Sequence, residues 1–143
     1  MWIQSAGFIL GITLANLAIA ENSCISNPFY SHAEEVTCEA KLSQQRLQDV
    51  NKSFAELMAA NEHANHYIEH LNHNGGNTDE YADDLRSDQS QWRAFIAKDC
   101  ALQGAVTRSN SAGDIEQQCL QDAYVHRIQV LHQMSQLLVL DYP

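Results

Sequence analysis

The chain has 143 residues, with 18 acidic against 8 basic side chains and a formal charge of −10. That balance excludes nucleic-acid binding, because nothing could neutralise a run of phosphates, and it disfavours anionic membrane surfaces. It suits solubility or a cationic partner, and the length allows one domain with one core.

Residues 6–20 read AGFILGITLANLAIA and carry no charge. The stretch is too short, and too interrupted by Gly and Asn, for a membrane span of about 20 apolar residues. Ala18-Ile19-Ala20 is a small-x-small cleavage pattern. Residues 1–20 are therefore expected to be a signal peptide and residues 21–143 the mature single domain, with no stable membrane insertion after cleavage. Met1 to Ser5 lack Lys and Arg, which makes the n-region weak; the alternative is an uncleaved anchor. Glu21 disfavours lipidation at Cys24. All four cysteines (Cys24, Cys38, Cys100 and Cys119) lie beyond the leader. Such a set reads as disulfides in an oxidising compartment, periplasmic or secreted.

After an irregular lead containing Asn27-Pro28, Ser31 and Glu34 form a capping-box pattern. No Pro or Gly occurs from there to Leu71. Leu47, Val50, Phe54, Leu57, Ala64, Ile68 and Leu71 recur in steps of one helix face, with Asn61 interrupting. One long helix is predicted, stopping at Asn74-Gly75-Gly76. Thr78 can cap a second helix with the face Tyr81, Leu85, Trp92, Phe95 and Leu102, fraying near Gly104. Thr107 to Gly113 is loop by composition. Ser111 and Asp114 start a third helix striped by Ile115, Cys119, Leu120, Tyr124, Ile128, Leu131, Met134 and Leu138. No segment alternates with period two, so no sheet is expected. The fold class is all-α: a small antiparallel bundle of three to four helices tied by two disulfides. The first helix is long enough to lie along both others or to break near Asn61. Lasting coiled-coil pairing is disfavoured by frequent polar seam positions.

Four cysteines allow three pairings that sequence alone cannot separate. Geometry prefers Cys100–Cys119, which joins the facing ends of helices two and three. Cys24–Cys38 would then pin the lead onto helix one.

Chemistry is sparse. There is no C-x-x-C, no nucleophile elbow, no phosphate loop and no carboxylate in a clearly apolar context. No enzyme and no cofactor are expected. His63, His66, His70 and His73 step by three, four and three within an arc of about 80°, opposite Ala64, Ile68 and Leu71. They are predicted to face solvent, where His66 and His70 can chelate a transition metal with help from Glu62 or Glu69. A plain solvated face is the simpler reading. Protonating all 7 histidines would move the formal charge from −10 to −3. Trp92 and Phe95 fall on the seam and read as core. Arg127 lies one step off the third stripe, placed to bond an acid such as Asp99 or to reach water.

Gln89-x-x-Trp92-x-x-Phe95, Asp99-Cys100, Cys119, Arg127 and Leu131 together resemble the LprI-type lysozyme-inhibitor family. Cys24, Cys38, Val50-Asn51 and Phe54 match its upstream half more loosely. Leu47, Ile96 and residues 109–113 depart from the usual pattern. The resemblance covers nearly the whole mature chain. It marks Trp92, Phe95, Asp99 and Arg127 as motif residues and implies a small exported helical protein that inhibits lysozyme. An acidic bundle would be steered to a cationic lysozyme and plug its glycan-cutting cleft. The candidate surfaces are the loop from Leu102 to Ile115, with Arg108 and Asn110, and the acidic start of helix two, Asp79, Glu80, Asp83 and Asp84. The competing readings are a periplasmic protein-interaction module of unknown ligand and a metal-binding protein using the histidine face.

Overall fold

A computed structural model describes Cys24, residues 31–71, 79–108 and 111–141, with the side chains of Leu71, Asp79, Glu80 and Asp141 left aside. The predicted signal peptide, the Asn74-Gly75-Gly76 stop, the Thr78 cap, His73 and Asn110 lie outside the described residues. Three helices make up the described fold: α1 (His32–Leu71), α2 (Asp79–Val106) and α3 (Ala112–Asp141).

α1 starts where the capping box places it. The Ser31 backbone N–H donates to the Glu34 carboxylate at 2.8 Å, and the Ser31 hydroxyl donates to the same oxygen at 2.7 Å. The backbone bond is the main reason the Glu34 carboxyl titrates below its ordinary value, with the hydroxyl adding to it. From Ser31 the helix runs 40 residues without a break, about 60 Å at the α-helical rise. Asn61 does not interrupt it: the side chain is buried in line with Leu57 and Ala64, and the backbone stays helical.

Ser43, Val50, Leu57 and Ala64 are all buried along α1. They recur every seven residues, the spacing that keeps one edge of a helix against a partner helix. That partner is α3, whose Leu131 is wholly buried against Val50 and Leu57. Removing each of these three side chains from water contributes about 2 kcal/mol. Phe54, Leu85, Trp92, Tyr124, Ile128, Met134 and Leu138 pack around them.

α3 is the middle helix. It packs along both α1 and α2, while α1 and α2 barely touch. The first helix was expected to lie along both others or to break; it stays whole and lies along α3. Polar ties across the α1–α3 seam fix the direction. Gln121 donates to the Glu39 carboxylate, and His132 Nε2 lies 3.3 Å from Ser53 Oγ and 3.6 Å from the Glu56 carboxylate. Residue numbers rise together along this seam, so α1 and α3 are parallel. α2 runs antiparallel to α3, joined by Cys100–Cys119. No described helix is long and apolar enough to cross a membrane.

Both favoured disulfides are present, Cys24–Cys38 and Cys100–Cys119, and no described cysteine is free. The second closes a loop of 19 residues, worth about 3 kcal/mol in the chain-entropy account.

Candidate functional site

The α2–α3 hairpin gathers most of the chemistry that the sequence singled out. Its face toward α3 is set by Leu85, Gln89, Trp92, Ile96, Cys100 and Gly104, all buried or half-buried. Gln89 and Gly104 carry no apolar signal, so this stripe was read one step round the helix. As a result Phe95 is not core: it is 64% exposed, as are Tyr81 and Leu102 to a similar degree.

Gly104 is needed where it stands. A Cβ there would lie 2.6 Å from the Ala112 carbonyl oxygen, so only glycine lets the two helix ends close this tightly. α2 passes Gly104 and ends at Val106. The Thr107 hydroxyl donates to the Gly104 carbonyl at 2.7 Å. Arg108 then takes the left-handed conformation, φ 49°, that commonly ends a helix. Beyond the link, the Ile115 N–H bonds the Ser111 carbonyl at 3.0 Å and Gly113 is already helical. The expected loop from Leu102 to Ile115 is thus corrected at both ends: α2 holds through Val106 and α3 starts at Ala112.

Arg127 is the anchor of the hairpin. Its Nε donates to Gln89 Oε1 at 2.9 Å, another guanidinium N–H donates to the Asp88 carboxylate, and the group lies 5.1 Å from the Trp92 ring centroid. Trp92 also meets Tyr124 with ring centroids 6.1 Å apart and a tilted geometry, an arrangement that adds to burial energy. Burial pushes the Tyr124 phenol up, partly offset by the nearby charge of Arg93. Asp99 was expected as the acid for Arg127 and is not. It accepts from Gln103 Nε2 at 3.0 Å on its own helix. The register fixed by Cys100–Cys119 sets Arg127 level with Trp92, two turns of α2 away from Asp99, or about 10 Å. That register could have named Asp88 and Gln89 in advance.

A second stripe runs along the flank of α2, about 100° round from the face toward α3. Tyr81, Asp88, Phe95, Asp99, Leu102 and Val106 fall within about 60° of one another on the helix. Its four apolar members are each at least 60% exposed. They stand on a base held by the disulfide, the Gly104 approach and the Arg127 anchor.

The other expected residues are scattered. Asp83 and Asp84 are exposed near the start of α2, and Asp83 pairs with Arg86 at 2.8 Å. Surface pairs of this kind contribute little. Asp79 and Glu80 occupy the first turn of α2. Arg108 is exposed at the tip. His63, His66 and His70 face solvent as predicted, far along α1 from that tip. Among the described residues no group of three or more His, Cys, Asp or Glu is arranged to hold a metal ion. The α1–α3 ties Glu39–Gln121 and Ser53–His132–Glu56 were not foreseen, because local spacing does not give the register of α1 against α3.

The two disulfides fit an extracytoplasmic protein. No curated protein and no solved structure gives a significant match. A family model described as "Lysozyme inhibitor LprI" matches residues 24–131, from the first cysteine through the buried Leu131 at the centre of the α1–α3 seam. This span takes in both disulfides, Trp92 and Arg127, and the chain belongs to the LprI lysozyme inhibitor family.

Proposed function

We propose that the mature protein, exported to the periplasm or beyond, binds a cationic lysozyme and inhibits it through the second stripe of α2 and the adjoining hairpin tip. The observation that carries this reading is the exposure of Phe95, Leu102 and Val106 on a braced helix within the family-matched region. Apolar side chains grouped on one exposed face cost solubility unless a partner covers them. Asp88 and Asp99 interleave with them, and the formal charge of −10 favours a basic enzyme surface. The stripe supplies apolar anchors and the acids supply orientation and steering. α2 is helical through Val106 and α3 from Ala112, so occlusion of the cleft by a helical edge fits better than insertion of a long loop. The acidic first turns of α2 act as a secondary steering patch.

A turbidity assay of bacterial lysis with purified mature protein tests the proposal. Clearing by lysozyme should slow in proportion to added protein, and the effect should weaken with salt as charge steering is screened. Full-rate lysis at molar excess of the protein rejects it.

A further inference from the structure

We propose a second, separate site: a divalent late first-row transition-metal ion, with Cu2+ held best and Zn2+ more weakly, chelated by His66 and His70 on the outer face of α1. His63 is the alternate partner of His66. α1 is continuous through Leu71, so the steps of three and four are true helical steps. Side chains four apart on a helix have Cβ atoms about 6 Å apart, close enough for two imidazoles to meet one ion. Ala64 is buried against the rest of the fold, and His63, His66 and His70 are all exposed on the opposite side.

The Glu69 carboxylate lies 3.8 Å from His66 Nδ1. A carboxylate beside a metal-binding histidine can steady its ring or reach the ion itself. All four cysteines are committed to disulfides, so no thiolate competes for a soft or borderline ion. The remaining described histidines do not offer the same pairing. His32 lies beside Glu35, His132 is engaged by Ser53 and Glu56, and His126 has no histidine three or four residues away on α3. Two protein ligands leave the other positions to water. Affinity should therefore follow the general order in which Cu2+ exceeds Zn2+. The site lies on α1, about 50 Å along that helix from the level of the hairpin tip, whereas the proposed lysozyme-binding stripe is carried by α2.

Calorimetric and visible-absorption titration of the oxidised mature protein with CuCl2, and then with ZnCl2, tests it. One Cu2+ per chain is expected, bound more tightly than Zn2+. His66→Ala, which breaks both pairings, should weaken Cu2+ binding at least about tenfold, and Glu69→Gln should weaken it less. His126→Ala should leave it unchanged, and circular dichroism should report full helicity in each variant. Amide exchange over residues 62–70 should slow when Cu2+ is added. Absence of saturable uptake, or wild-type binding by His66→Ala, overturns the site and leaves the lysozyme reading untouched. Loss of lysozyme inhibition with copper uptake intact does the reverse.

Discussion

The two seams of α3 are built on different principles. Toward α1 it presents Leu131 and its neighbours to small and aliphatic residues that recur every seven positions, with no covalent tie between the described helices. Toward α2 it relies on a disulfide, a glycine close approach and one buried arginine. The first seam combines buried apolar area with a few side-chain ties; the second adds a covalent bond, a glycine close approach and a buried arginine to the packing of Leu85 and Trp92. α2 therefore need not turn its apolar residues inward, and Tyr81, Phe95, Leu102 and Val106 remain on the surface. A helix fixed by bonds keeps a face free for a partner.

Breaking the two seams should give effects of different kinds. The largest is expected from Leu131→Ala, which empties a fully buried position between Val50 and Leu57 and should cost about 4 kcal/mol. Chemical denaturation measures it, and a loss below 1 kcal/mol would mean that the α1–α3 seam is not the core. Replacing Cys100 and Cys119 together by Ser should cost about 3 kcal/mol. Because the disulfide acts on the α2–α3 hairpin, amide exchange should rise in α2 well before it rises along α1; uniform loss across all three helices would contradict the division.

Arg127→Met comes next, at about 2 kcal/mol, since it leaves the buried Gln89 carbonyl without its donor and removes the cation from the Trp92 face. Asp88→Asn should cost less than about 1 kcal/mol, because its carboxylate is largely exposed. Equal losses from the two changes would show that the ion pair, not the buried bond, secures the hairpin.

The smallest effect concerns the start of α1. Glu34 titrates below its ordinary value of 4.5 because folding supplies the Ser31 backbone donor. Its contribution is fully present above that value and is lost as pH falls through the lowered folded value. Glu34→Gln should therefore flatten the acid limb of the stability curve slightly, without changing stability relative to wild type below both values. An unchanged acid limb would remove this linkage.

Much of this was legible in the residues. The Ser31-x-x-Glu34 pattern marks the start of α1, and the cysteine positions favour the observed pairing. Tyr124, Ile128, Leu131, Met134 and Leu138 of the α3 stripe are the ones that pack, and His63, His66 and His70 face outward because Ala64 and Ile68 claim the other side. The face of α2 was harder to place, since its inward positions include Gln89 and Gly104 while Phe95 and Leu102 point away. The partner of Arg127 depended on helix register, a long-range property that local spacing does not encode. The tip was shorter than its Ser, Asn and Gly content suggested, because Gly113 tolerates helix once Ser111 has started it. The pairing of α1 with α3 rather than α2 rests on contacts between residues some 80 positions apart.

The most direct test of the central claim is the Leu102→Asp, Val106→Asp double variant, measured for thermal stability and for inhibition of lysozyme in the same preparation. A surface that serves a partner and not the core predicts wild-type melting with inhibition lost. Undiminished inhibition, or a melting temperature lowered by many degrees, would contradict it.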